Sequence, residues 1–241
     1  MMLGATFSAG TFGDAFRFIW DDRGLLATKM LEQIEISAIA IGIAMLLALP
    51  LGVWLGHLRR GSFLAINVSN IGRALPSLAV ISIGLPLLGI GHSVVIVALV
   101  VLAWPLMLTN AFVAVNEVDE DVVEAARGMG LRGHQVLLRV EIPLALPLIF
   151  AGIRTAAVYV VATATLAGVV GGGSLGDIIF NQATYFLYGV VGASILVSAL
   201  AFAADFFFAA LQRLLTPRGL RYTEAAHTSE VQVASLLEAP T

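Results

Sequence analysis

Cysteine is absent from the 241 residues, and charge is scarce: Lys and Arg number 13, Asp and Glu 16, together 12% of the chain. The first absence excludes a disulfide framework, a thiolate metal site and a cysteine nucleophile. The second excludes an ordinary soluble domain, in which roughly 25% of residues are charged. Histidine is thin as well. His57, His92, His134 and His227 are scattered, and no pair has the spacing of a metal-binding helix. Residues 1–20 hold Phe7, Phe12, Phe16, Phe18 and Trp20 but no basic stretch followed by a long apolar run. They read as a short amphipathic lead-in rather than a cleavable signal peptide.

Apolar side chains fill the space that charge leaves: 59% of residues are hydrophobic and the mean hydropathy is +0.95. A helix that crosses a membrane needs about 20 mostly apolar residues. Such windows fall at about 34–57, 63–90, 93–115, 145–170 and 188–212. Residues 36–56 and 93–115 carry no charge, 145–170 carry only Arg154, and 188–212 carry only Asp205. The 63–90 window carries only Arg73 but is interrupted by Gly72, Pro76, Gly84, Pro86 and Gly89, and reads as a broken or kinked span. Long runs without alternation are helices, not barrel strands. Pro50, Pro76, Pro86 and Pro105 are tolerable where neighbouring helices satisfy the freed carbonyls. Ala162, Ala164, Ala167 and Gly168 let backbones approach closely.

The expected fold is therefore an all-α integral membrane protein with about five transmembrane helices. Residues 1–30 form the lead-in, 31–215 the membrane domain with a loop at 116–143, and 216–241 a polar tail expected to be disordered. With this count, one face receives Arg59, Arg60, Arg127, Arg132, Arg139, Arg213, Arg218 and Arg221, and the other Arg17, Arg23 and Lys29. The richer face is cytoplasmic by the positive-inside rule, which puts the N-terminus outside and the C-terminus inside. Insertion of residues 10–30 would move the N-terminus inside. No stretch has room for a nucleotide-binding domain.

The 116–143 loop has helical character of its own. Asp119 can cap an N-terminus, Glu120 and Asp121 complement the dipole there, and Gly130 stands where a left-handed cap would end the helix. Val118, Val122, Ala125, Ala126 and Met129 recur at helical spacing and give a short apolar stripe. A second short helix is expected from Val136 to Glu141, ended by Pro143. Such a stripe suits a partner's groove, or else the membrane surface or the chain's own bundle.

Glu124-Ala125-Ala126, then Gly130, then Val140-x-Ile142-Pro143 cover twenty positions at a spacing that resembles the EAA loop of ABC importer permeases. The stretches NIGRALPSLAVISIGLPLLGIG, NEVDEDVVEAARGMG, VEIPLALPLIFAGIRTA and TATLAGVVGGGSLGDIIF are similar to permeases for glycine betaine, carnitine and choline, within the methionine-importer permease fold. The resemblance covers roughly residues 30–215. One departure is Arg73, where an uncharged polar residue is expected.

The resemblance implies a transporter subunit in a bacterial cytoplasmic membrane, not an enzyme. Its loop would form the coupling helix that docks on an ATPase through Val122, Glu124, Ala125, Ala126, Met129, Gly130, Val140, Ile142 and Pro143. ATP and Mg would sit on that ATPase, leaving this chain without a cofactor. The other partners implied are an external substrate-binding protein, a second permease subunit (a copy or a paralogue) and membrane lipids, but no nucleic acid. Methionine or another small solute is the alternative cargo, and an ion-coupled transporter acting alone is the alternative class.

Arg154 and Asp205 are ionisable residues inside spans, where such groups are functional candidates. Both sit about 12–14 Å deep from the same side, counted at 1.5 Å per residue. Equal depth permits an interhelical ion pair, with Arg73 as a competitor. The bland alternative has Arg154 snorkelling and Asp205 bonded to Ser or Thr. A proton relay would want further titratable groups in series. Gly171-Gly172-Gly173-Ser174 looks like a phosphate loop but lacks the Gly-Lys-Ser/Thr ending. It reads as a flexible outer turn before a short helix through Ile179 and Phe180, serving as outer gate or plain connector. Trp104 and Tyr159 are the aromatic candidates for a pathway that carries a quaternary ammonium.

Overall fold

The computed structural model describes residues 9–59, 67, 70, 72 and 75–216. Every element among them is helical. In chain order these are α1 (Ala9–Asp21), α2 (Arg23–His57), α3 (Ser77–Leu88), α4 (His92–Asn116), α5 (Glu120–Gly128) and α6 (Gly133–Val136). A π turn (Leu137–Glu141) leads into α7 (Ile142–Thr163), which tightens into a 3-10 segment (Ala164–Val170). A short α8 (Gly176–Ile179) precedes the long α9 (Gln182–Leu215).

Four runs are long and apolar enough to cross a membrane: Arg23–His57, His92–Asn116, Gly133–Val170 and Gln182–Leu215. The interrupted 63–90 window is described chiefly through α3, whose 12 residues rise only about 18 Å. Most of its first half, Arg73 included, lies outside the described residues, as do Arg60 and the tail from 217 onward.

The spanning elements sort their ends into two groups. At one, here the loop end, the last turn of α2 meets the 116–143 loop through His57 and Glu141. At the other, the hairpin end, Lys29 of α2 meets Asp177 and Gly172 packs beside Gly91. The lead-in at the hairpin end is a helix of its own. It buries Ala15 and Phe18 against α9 at Gly189 and Gly192 and leaves Phe12, Phe16 and Trp20 exposed. α9 itself is broken once, at Phe186, whose backbone is left-handed at φ 53°.

Between the ends the helices meet through small residues. Ile36, Ala40, Ala44 and Ala48 of α2 pack with Val95, Ala98, Leu99 and Met107 of α4 and with Ala156, Ala157 and Val160 of α7. A second cluster at the loop end joins Ala111 and Val115 to Ala145, Ile149 and Ile153. Lipid tails are as apolar as leucine, so these helices hold together by close packing rather than by expulsion of water. Gly52 and Gly56 show how close. A Cβ on Gly52 would stand 2.6 Å from the Leu108 carbonyl, and one on Gly56 would stand 2.8 Å from that of Phe112.

Two expectations are corrected here. Pro143 does not end a helix: it stands in the first turn of α7, and the chain is helical without interruption from Gly133 to Val170. The expected Val136–Glu141 helix is instead the end of α6 plus the π turn, in which Ile142 N–H reaches the Leu137 carbonyl. That wider turn accommodates a proline that has no N–H and crowds the preceding turn. The window at 145–170 is likewise not one α-helix, because its last seven residues are 3-10. Hydropathy is the same for both windings, so composition could not separate them.

The glycine seam yields a test. Gly52→Leu is expected to cost about 1–3 kcal/mol or more by overpacking, because backbone rather than a flexible side chain stands in the way. Gly42→Ala, where nothing lies within 4 Å of the added carbon, serves as the neutral control. Thermal unfolding in detergent, followed by helical circular dichroism, reads both.

Candidate functional site

The 116–143 loop is held as the sequence suggests at its two caps. The Asp119 side chain accepts the Asp121 N–H at 2.9 Å, and Glu120 and Asp121 sit at the positive end of α5. Gly130 is left-handed at φ +85°, and the following Leu131 N–H returns to the Ala126 carbonyl at 3.2 Å.

Its apolar stripe divides between two faces. Val118 and Ala126 turn inward with Val123 and pack on the second core cluster beside Val136 and Ile149. Val122, Glu124, Ala125 and Met129 turn outward, and Met129 is 76% exposed. Ala126 therefore belongs to the chain's own bundle, not to the outward surface. Val123 was missed, although its spacing of three from Ala126 was available as a signal. Val140, Ile142 and Pro143 are partly buried at the base of α7, away from the outward face of α5.

What fastens the loop was not visible in sequence. His57 Nδ1 lies 2.5 Å from Glu141 Oε2, and Glu141 is only 3% exposed. Arg59 donates to the Val118 carbonyl at 3.0 Å and pairs with Glu120 at 3.1 Å. The last turn of α2 and Arg59 just beyond it are thus tied to the two ends of the loop. The partners in these contacts lie 59 or more positions apart in the chain, so no local pattern could point to them.

Arg154 on α7 and Asp205 on α9 meet. The Arg154 Nε and Nη2 donate to the two carboxylate oxygens of Asp205, the latter at 2.6 Å. This two-bond fork is the geometry that makes Arg–carboxylate pairs specific. It leaves Asp205 with a partner other than Ser or Thr. Trp104 and Tyr159 are not brought together around one cavity. Tyr159 lines a cavity of about 110 Å³ with Gly72, Leu102, Pro105 and Leu106, whereas Trp104 packs against the first core cluster with its Nε1 buried and unbonded.

The Gly171–Ser174 turn is packed into the protein rather than open. Gly171 and Gly173 are left-handed, at φ +64° and +68°, and turn the chain back on itself. Gly168 and Gly176 bring the two arms into contact backbone to backbone, so a side chain at either would collide with the opposite main chain. Ser174, fully buried, donates to the Thr165 carbonyl at 3.2 Å and accepts the Gly176 N–H at 3.0 Å. Leu175 and Ile178 are also fully buried.

Gln33 of α2 locks this hairpin in place. Its Nε2 donates to the Val161 carbonyl at 2.9 Å and to Thr165 Oγ1 at 3.3 Å, where α7 changes pitch, and its Oε1 accepts the Leu175 N–H at 3.2 Å. Lys29, one turn earlier, pairs with Asp177 at 2.7 Å and Glu32 at 2.9 Å. A lone Gln ahead of an apolar run gives no sequence signal of three such bonds.

Residues 46–218 match the family of binding-protein-dependent transport system inner membrane components. This chain is a member of that family. It is 38% identical over 205 residues to the glycine betaine/carnitine/choline transport system permease protein OpuCB of Bacillus subtilis, covering 85% of this chain and 94% of that one. It is 39% identical over 189 residues to the carnitine transport permease protein OpuCB of Listeria monocytogenes, covering 78% and 86%. Among solved structures, an inward-facing MetNI methionine ABC transporter chain superposes with a TM-score of 0.69 at 22% identity, covering 88% of this chain and all of that one. The fold is that of type I ABC importer permeases, and the protein is a multi-pass transporter subunit rather than an enzyme.

The Arg154–Asp205 fork supplies a second test. Arg154→Ala and Asp205→Ala each leave a charge without its partner and are expected to lower thermal stability in detergent. The exchange Arg154→Asp with Asp205→Arg is expected to recover part of the loss. An exchange no more stable than either single variant would show that the contact contributes nothing specific.

Proposed function

We propose that this chain is the permease subunit of an ATP-driven importer for an osmoprotectant of the glycine betaine, choline or carnitine type. The observation that carries the cargo is similarity along nearly the full length of relatives whose names state those solutes. The methionine transporter resembles the chain at 22% identity and speaks only for the fold.

In this reading the outward face of α5 is the docking surface for a separate ATPase. Support comes from its geometry. Val122, Ala125 and Met129 stand exposed on a capped helix whose other face is fixed to the bundle, so a partner gripping it grips the whole loop end. Glu124 lies on the same exposed side. The Val140–Pro143 stretch supports the loop from beneath. The loop end, with Arg59, Arg127, Arg132, Arg139 and Arg213, faces the cytoplasm by the positive-inside rule, and the chain crosses five times. The hairpin end then faces outward, toward a substrate-binding protein, and the buried hairpin at Gly171–Ser174 forms part of an outer closure. A second permease subunit completes the pathway. Choline transport in Bacillus subtilis has two differently named permease proteins similar to this chain, which favours a paralogue over a second copy.

The decisive measurement is uptake of labelled glycine betaine, choline and carnitine into vesicles holding the assembled importer. Uptake is expected to require ATP, the ATPase and the binding protein. Uptake by this chain alone on an ion gradient would overturn the reading, and saturable uptake of methionine instead would reassign the cargo. Within that assay Met129→Asp and Glu124→Lys are expected to lower uptake and ATPase co-purification at least about tenfold, as changes at interface hot spots do. Their exposure predicts unchanged folding. Normal co-purification in both would displace the docking surface from α5.

A further inference from the structure

We propose that α2 is a tie rod that carries movement of the 116–143 loop directly to the 164–180 hairpin, with Gln33 and His57 as positioning residues at its two ends. This rests on the reading of the loop as the element an ATPase grips. It adds the route by which force leaves that loop.

The case begins with length. α2 is a single helix of 35 residues, about 52 Å at 1.5 Å per residue. Gln33 and His57 are separated along it by about 36 Å on the same count. At the loop end, His57 grips Glu141, and Arg59 just beyond grips Glu120 and the Val118 carbonyl. Both flanks of α5 are thereby fixed to one helix. At the hairpin end, Gln33 holds both arms of the hairpin at once, through Val161 and Thr165 on one and Leu175 on the other. Lys29 adds an ion pair to Asp177. The hairpin's two arms pack backbone to backbone at Gly168 and Gly176, which ties them to each other as well as to Gln33.

A second route joins the same two places, namely α7, which is continuous in sequence with both. It is the softer one. It begins in a π turn and ends in a 3-10 segment, the two departures from α geometry that commonly mark hinges and functional sites. A push on the base of α7 is absorbed at those turns. α2 has no such change of winding. Its one internal proline, Pro50, faces away from the bundle, and the turn that follows is seated through Gly52 and Gly56 on the backbone of α4. The stiff connection between loop and hairpin is therefore α2.

Clamps that merely stabilise the fold would make the same contacts, so the test must read coupling. The absence of native cysteine makes introduced thiols the only ones in this subunit. In the complete importer, with ATPase, second permease and binding protein, Lys29→Cys and Asp177→Cys are joined by a short bifunctional maleimide. A rod that never parts from the hairpin predicts glycine betaine uptake within about twofold of the unlinked double variant, against the roughly 5–150-fold range of typical couplings. Loss of uptake on linking, with ATP hydrolysis continuing, would mean that the hairpin must separate from α2, and would overturn the proposal. On the uncrosslinked background, Gln33→Leu is expected to lower uptake per ATP hydrolysed at least about tenfold, with ATPase co-purification unchanged. An unchanged ratio of uptake to hydrolysis would also overturn it. Failure of the unmodified chain to retain the ATPase would remove the docking reading first, and the rod with it.

Discussion

In lipid, no backbone N–H or C=O can be left without a partner. This constraint explains where the chain is regular and where it is not. Residues 36–56 and 93–115, lacking charged side chains, lie in α-helices that satisfy their own main chain. Where the winding changes, a polar side chain or a compensating turn is present. Gln33 supplies a donor to Val161 as α7 tightens, Ser174 bridges Thr165 and Gly176 across the hairpin, and the π turn accommodates Pro143. The hairpin around Ser174, Leu175 and Ile178 is buried in protein, as the constraint demands of non-helical backbone at such depth.

Charge obeys the companion rule that an ion away from water needs a partner. Arg154 and Asp205 meet across α7 and α9. Other ion pairs among the described residues stand at the two ends of the bundle: Lys29 with Glu32 and Asp177 at one, His57 with Glu141 and Arg59 with Glu120 at the other. Polar chemistry is thus concentrated at the two ends, and apart from the Arg154–Asp205 pair the middle is left largely to glycine, alanine and branched side chains. In the proposed importer the work comes from a separate ATPase, so this subunit would need a grip, a path for force and a closure, none of which calls for a reactive side chain.

Features governed by local sequence could be read in advance. The apolar windows, the Asp119 cap and the left-handed Gly130 are set by residues within one or two turns. The pairing of Arg154 with Asp205 was within reach because depth along a helix is a matter of counting. What escaped depends on contacts distant in sequence. The stripe on α5 offered two nearly equivalent faces, and its packing on α6 and the π turn, within the cluster that holds Val136, decides that Val123 and Ala126 turn inward. The glycines at 171–173 suggest freedom when read alone, but Leu175 and Ile178 pin the turn into the core. Gln33 and His57 gave no signal because their partners lie 84 or more positions away.

The helices are unequal in length, and that inequality bears on the bilayer itself. α2 rises about 52 Å and α9 is nearly as long, whereas α4 rises about 37 Å between Gly91 and Glu117, against a hydrocarbon slab of roughly 30 Å. The long helices can tilt within thicker or thinner membranes and keep their polar termini wet. α4 has little margin, and it is clasped to α2 by the glycine seam. Of these three helices, thickness mismatch therefore acts first on α4, and a change in lipid chain length loads the same seam that holds the bundle together.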